Sequence, residues 1–224
     1  MSDIINIAID GPAGAGKSTI AKLVAKKKNF IYVDTGAMYR ALALFCSRNG
    51  IAPEDEEKVI ENCGKCDIKI EYKDGVQYVI LNGENVNDFI RTEEISRFTS
   101  MISAYPKVRE ILLDLQRNLA KENNVIMDGR DIGTNILPDA DLKIYLTASV
   151  SARANRRYKE QCEKGYDVDL EEIKKDIEDR DYRDMHKEVG ALKVADDAVT
   201  VDSSDMSIDE VVAEIAGLID NIKK

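Results

Sequence analysis

Apolar residues along this chain fall into two alternating kinds of run. Short, nearly unbroken ones occupy 4–10 (IINIAID), 30–34 (FIYVD), 125–128 (VIMD), 142–147 (LKIYLT) and 198–202 (AVTVD). Longer stretches with helical spacing lie between them, at 17–28, 36–49, 54–63, 105–123, 149–164, 169–187 and 207–222. Strands covered on both faces read as continuous apolar runs, and their alternation with helices argues a parallel sheet between helical layers. The prediction is an α/β fold on a five-stranded parallel sheet. The last helix carries Asp209 and Glu210 in its first turn and ends on Lys223 and Lys224, charges that suit the helix dipole. Residues 67–89 break the rhythm. Ile68, Ile70 and Tyr72 alternate with charged residues, and Asp74-Gly75 and Asn82-Gly83 are hairpin signals on either side of the run 76–81. They predict a small antiparallel meander inserted into the α/β core.

Between the first strand and the first helix stands Gly11-Pro12-Ala13-Gly14-Ala15-Gly16-Lys17-Ser18, followed by Thr19. It satisfies GxxxxGK[ST] in the strand-to-helix context the motif needs. Glycines let successive N–H groups curl round an anion, and the helix N-terminus adds its own donors and positive dipole end. Lys17 reaches the β- and γ-phosphates and Ser18 holds magnesium. The segment therefore predicts a nucleoside triphosphate with Mg2+ as ligand. The glycine spacing is not GxGxxG, and no Asn-Lys-x-Asp string follows, which argues against a dinucleotide site and a GTPase.

A length of 224 residues suits one α/β domain with insertions, and 44% hydrophobic with 33% charged residues is ordinary for a soluble globular chain. The net charge of -10 makes nucleic acid or a membrane surface a poor partner, so anions must be held by locally focused basic groups. The N-terminal apolar run is short and acidic, unlike a leader, and the expectation is a cytoplasmic protein. The small fold and lack of an obvious apolar patch point to a monomer. Cys63-x-x-Cys66 is a single pair in a chain with one histidine, His186, which favours partly buried free thiols over a metal or redox centre.

Two further polar clusters follow strands. Asp34-Thr35-Gly36-Ala37-Met38-Tyr39-Arg40 comes after the second, and Asp128-Gly129-Arg130-Asp131 after the third. In open parallel sheets ligands bind beyond the carboxyl ends of the strands, so both clusters should meet the phosphate loop at one edge. Asp128 either holds a magnesium-bound water or caps the following turn. Arg153, Arg156 and Arg157 share a helical face, and Arg180, Arg183, Asp184 and Lys187 repeat the spacing beyond a turn at Lys164-Gly165-Tyr166-Asp167. Two such helices are either a basic lid over phosphates or salt-bridged surface helices, given Glu171, Glu172 and Asp176 beside them.

Taken together, GPAGAGKST, DTGAMYR, YPKVR, DGRDIGT and RDYRD resemble, in that order and spacing, the bacterial cytidylate kinase family, over essentially the whole chain. The resemblance implies a P-loop nucleoside-monophosphate kinase with a three-layer fold, a small antiparallel β insert and a helical lid. It implies one domain, 1–224, with a core of 1–35, 105–150 and 190–224, a monophosphate-binding region at 36–104 and a lid at 151–189. The implied reaction moves the γ-phosphate of ATP to CMP or dCMP, giving ADP and CDP or dCDP, in pyrimidine metabolism. Arg40 and Arg130 then hold the CMP phosphate, and Ser100, Arg109 and Asp131 contact cytosine. Thr35, Tyr39, Arg180 and Asp184 complete the acceptor site. Lys187 stands where many relatives have an arginine, keeping the charge and losing the bidentate fork. Lys17, Arg130, Arg153, Arg157 and Arg180 form the expected catalytic set, with Ser18 on the metal directly and Asp128 through water. Base chemistry agrees: Arg109 can donate to cytosine O2 and N3 while Asp131 accepts from the 4-amino group, and each good bidentate base contact is worth about 1–3 kcal/mol of discrimination.

Overall fold

A computed structural model describes residues 4–73 and 76–222. The Asp74-Gly75 turn and the terminal Lys223 and Lys224 lie outside the described residues. Five strands, β1 (Asn6–Asp10), β2 (Ile31–Asp34), β6 (Val125–Gly129), β7 (Leu142–Thr147) and β8 (Val199–Asp202), form a parallel sheet in the order β2-β6-β1-β7-β8. Their apolar continuity has the expected cause, because successive residues point into different layers. Ile7 and Ile9 of β1 and Ile126 of β6 pack with α1 (Lys17–Lys28) and α8 (Ile208–Asp220). Ala8, Val125 and Met127 face α2 (Thr35–Arg48), α4 (Glu93–Ile102) and α5 (Pro106–Glu122). Register sets Asp34 of β2 beside Asp128 of β6, and Asp10 of β1 beside Gly129. Three carboxylates thus gather at one sheet edge.

Helix α3 (Glu56–Cys63) leads into the insert, β3 (Ile68–Lys73), β4 (Val76–Leu81) and β5 (Glu84–Asn85), which form an antiparallel three-stranded sheet. Asn82 and Gly83 turn the chain with φ of 50° and 84°, the positive pair a type I′ hairpin requires. Val79 and Leu81 bury into the same layer as Met38 and Leu42 of α2. Cys46, Cys63 and Cys66 lie in this region as free thiols. Burial, with the neighbouring thiols, pushes Cys63 up to about 12, so it behaves as a packing residue.

Helices α6 (Val150–Glu163) and α7 (Leu170–Met185) pack on each other through a small cluster of Ala154, Ile173 and Ile177. Two elements differ from the sequence expectation. Helix α4 is absent from it, although Thr92 caps its first turn by accepting from Ile95 N at 3.2 Å. Helix α7 stops at Met185, so Lys187 sits on the following loop and not on the helix.

Candidate active site

The phosphate loop is built by close approach. Gly11, at φ 151°, runs against β7 so tightly that a Cβ would overlap the Leu146 carbonyl oxygen. Helix α1 then starts from Gly16 with no side-chain cap, leaving its first N–H groups to a ligand. Lys17 is buried and donates from Nζ to Pro12 O at 2.8 Å. Burial, and after it the Arg130 charge, pushes Lys17 well below its ordinary value, against the pull of Asp128, Asp10 and Asp184. An anion in the loop would relieve that cost.

Asp128 is the hub beneath the loop. Its carboxylate accepts from Ser18 Oγ and from Tyr32 OH, each at 2.8 Å, and its backbone carbonyl accepts from Thr35 Oγ1 at 2.8 Å. Burial, then the facing Asp34, raises its pKa. Asp34 caps α2 by accepting from Ala37 N at 2.9 Å, and it accepts from Arg40 Nη2 at 3.0 Å and Arg91 Nη2 at 2.9 Å. Burial alone would raise Asp34, and the two guanidiniums with that N–H outweigh it and hold it below the ordinary carboxylate value. Asp10 accepts from Ile132 N and Gly133 N, both at 2.8 Å, and so fixes the start of a π-helical turn, Ile132–Ile136, behind the Arg130-Asp131 pair. Burial lifts Asp10 to about 6 in spite of those bonds.

Across the cleft Arg109 donates from Nη2 to Asp131 and from Nη1 to Ser103 O at 3.2 Å. Its guanidinium lies over the Tyr39 ring, 5.7 Å from the centroid. Asp184 gathers a second group: Arg130 Nε donates to its Oδ2 at 2.9 Å, and Lys187 Nζ lies 3.1 Å from its Oδ1. Burial would raise Asp184, yet Arg130 and Lys187 hold it at about 2. Arg180 is the opposite case. Its Nε is buried without a partner among the described residues, and burial with the neighbouring Arg130 lowers it to about 10.

One cleft of ≈ 500 Å³ is lined by Lys17, Ser18 and Thr19 together with Thr35, Tyr39, Arg40, Ser100, Arg109, Arg130, Asp131, Arg180, Asp184 and Lys187. The sequence model of the cytidylate kinase family matches residues 7–221. The chain belongs to the cytidylate kinase family. It is 51% identical over 215 residues to the cytidylate kinase of Leuconostoc mesenteroides, covering 96% of each chain. Its identity to the cytidylate kinase of Caldicellulosiruptor bescii is 50% over 220 residues, covering 98% of this chain and 97% of that one. It is accordingly a nucleoside-monophosphate kinase. In fold alone it is similar to a shikimate kinase from Bacteroides thetaiotaomicron, with a TM-score of 0.50 at 13% identity, covering 97% of this chain and 99% of that one. A protein from Eubacterium ventriosum gives 0.53 at 14% identity with the same coverage.

Not every basic residue that the sequence pointed to faces the cleft. Arg153 is turned away, donating to both Asp181 oxygens at 3.0 and 2.6 Å, to Ala148 O at 2.9 Å and to Ala13 O at 3.0 Å. It ties α6 to α7 and to the phosphate loop, and four of its five N–H donors are already engaged. Arg156 bonds the backbone carbonyl and, at 3.3 Å, the hydroxyl of Ser203, so the expected basic face of α6 is divided. Arg157 does not line the cleft either, although its charge acts on Arg180. Arg183 faces solvent. Gly11, Pro12 and Ala15 shape the loop from behind, while Ala13, Gly14 and Gly16 meet the cleft. Conversely, Asp34, Arg91, Ser103 and Gly190 line it and carried no expectation as site residues. Asp34 stood in a quoted motif; Arg91 and Gly190 carry no local signal, since only tertiary neighbours reveal them.

Proposed function

We propose that this enzyme transfers the γ-phosphoryl group of ATP to the phosphate of CMP, and of dCMP, giving ADP and CDP or dCDP. The observation carrying the reading is the shared cleft, lined by Lys17 and Ser18 and also by Arg40, Arg109, Arg130 and Asp131. The backbone donors of 11–19 take the ATP phosphates. Arg40 and Arg130 take the acceptor phosphate, and the Arg109–Asp131 pair reads the cytosine edge with Ser100 beside it. Thr35, Tyr39, Arg180, Asp184 and Lys187 complete the acceptor wall. The acceptor is already an anion, so no general base is needed, and catalysis rests on positioning and on neutralising the moving charge. Lys17, Arg130, Arg180 and Arg157 supply positive charge. Residues 36–104 act as the monophosphate-binding region, and α6 with α7, within 151–189, as a lid that excludes water.

Magnesium fits the residues present. Ser18 Oγ and the Asp128 carboxylate are oxygen donors 2.8 Å apart under the phosphate loop. Ser18 would hold the ion directly and Asp128 through water. When bound, the ion screens charge between the β- and γ-phosphates. The net charge of -10 supports the reading that neither nucleic acid nor an anionic membrane is a partner. No described helix is long and apolar enough to cross a membrane. The reading places a monomeric enzyme in the cytoplasm.

A coupled ADP-release assay with CMP, dCMP, UMP and AMP tests the function. CMP and dCMP should turn over readily, with UMP and AMP far behind. Equal turnover of UMP and CMP would overturn the base-reading assignment.

A further inference from the structure

The insert meets the acceptor site at Gln77. Gln77 of β4 presents Oε1 to Asp34 N–H at 2.8 Å and Nε2 to Asp34 C=O at 3.4 Å. Strand β2 is at the edge of the parallel sheet, so its outer backbone groups have no strand to pair with. One carboxamide thus supplies the donor and the acceptor that a sixth strand would have offered at this residue. Gln77 is itself held. Asn87 Nδ2 donates to Gln77 O at 2.9 Å, and Asn87 Oδ1 accepts from Val79 N at 2.9 Å. On the inner side, β4 pairs with β3, with Tyr72 opposite Gln77.

What this clamp fixes is the residue that aims two cations. The Asp34 carboxylate, buried at the end of β2, holds Arg40 at 3.0 Å and Arg91 at 2.9 Å. Both arginines line the cleft, and the Arg91 side chain is 55% exposed. Long arginine side chains lose much rotamer freedom when ordered, so a fixed carboxylate lowers that cost at the moment of binding. We propose that Gln77 is a positioning residue for the acceptor site, setting the Asp34 backbone and through it the orientation of Arg40 and Arg91. The antiparallel insert is then the brace of the acceptor-phosphate anchor. Glutamine is the residue type the geometry asks for: a carboxylate at 77 would accept from the Asp34 N–H, oppose its C=O with lone pairs, and place a second negative charge beside Asp34.

The inference rests on the reading of Arg40 as a ligand of the acceptor phosphate, and steady-state kinetics on the full chain separates the two. Gln77→Ala should raise the KM for CMP roughly three- to tenfold, the loss expected for one good hydrogen bond and one weak one. The KM for ATP should stay at the wild-type value. Gln77→Glu should not restore the CMP constant. Val76→Ala, a truncation at the exposed neighbouring position of β4, should match wild type in both constants. Asn87→Asp removes the donor to Gln77 O while keeping the acceptor for Val79 N, and provides an independent arm with a roughly twofold rise in the CMP constant alone. An unchanged CMP constant in both Gln77→Ala and Asn87→Asp would overturn the proposal. So would parallel rises for ATP and CMP, which would mark a merely structural role. Absence of CMP turnover in the wild-type chain would instead sink the functional reading itself.

Discussion

Gly190 lies flat against the guanidinium of Arg109: its φ is 67°, and a Cβ built on it would overlap Arg109 Cζ. The loop after α7 therefore presses directly on the side chain that, with Asp131, is proposed to read the acceptor base. Gly190→Ala meets two penalties, about 1–2 kcal/mol for a left-handed residue with a Cβ and the displacement of Arg109. The KM for CMP should rise about tenfold or more, since each 1.4 kcal/mol is a factor of ten, while the KM for ATP holds. An alanine variant with normal CMP kinetics would show that the position of Arg109 does not matter to the acceptor.

Asp131 is buried and accepts from Arg109 and, at 3.1 Å, from Asn135 Nδ2. Asp131→Ala removes the proposed acceptor for the 4-amino group and leaves the Arg109 charge without its carboxylate. Use of CMP, read as kcat/KM, should fall roughly ten- to a hundredfold, with ATP binding measured by titration little changed. Equal losses for CMP and UMP would show that Asp131 does not read the base.

The two arginines Arg153 and Arg180 should separate stability from rate. Arg153 is buried in a bidentate pair with Asp181, and truncating one partner of a buried pair costs on the order of 3–5 kcal/mol because the other charge is stranded. Arg153→Ala should show its main effect in the unfolding midpoint. Arg180 already has a buried Nε without a partner among the described residues, so Arg180→Ala should leave the midpoint near wild type and lower kcat by roughly a hundredfold, as loss of one charge-stabilising donor does. Reversed behaviour in denaturation and turnover assays would exchange the two roles.

This division explains what the chain's pattern could and could not disclose. The five strands and the helix at 17–28 were legible because local periodicity and burial on both sheet faces dictate them. The phosphate loop was legible because its residues act in sequence order. Helix α4 carried signals, with Thr92 ahead of Glu93 and Glu94 and buried Ile95, Phe98 and Ile102 along one side, but it is short and follows directly on an insert of strand-like pattern. Helical spacing put Arg153 and Arg157 on one face of α6 without telling which would meet Asp181, because that carboxylate belongs to another helix. Gly190, Arg91 and Gln77 act on residues distant in sequence, and no local pattern encodes such partners.

Asp184 makes stability depend on pH in a direction its partners determine. Arg130 and Lys187 overcome its burial and hold its carboxyl at about 2, below the ordinary 3.8. A depressed acid stabilises the fold fully above its unfolded value and loses that contribution as pH falls through the folded one, here between 3.8 and about 2. At 1.36 kcal/mol per unit this amounts to about 2 kcal/mol at neutral pH. Asp10 runs the other way. Burial raises it to about 6, so its contribution is present at low pH and fades as pH rises from 3.8 to about 6. In urea unfolding, Asp184→Asn should be less stable than wild type by about 2 kcal/mol or more near neutral pH. The gap should narrow by about 1 kcal/mol near pH 3, where the wild-type carboxyl begins to take up its proton. A gap that stays constant across that range would mean that Arg130 and Lys187 do not hold the Asp184 charge in the folded chain.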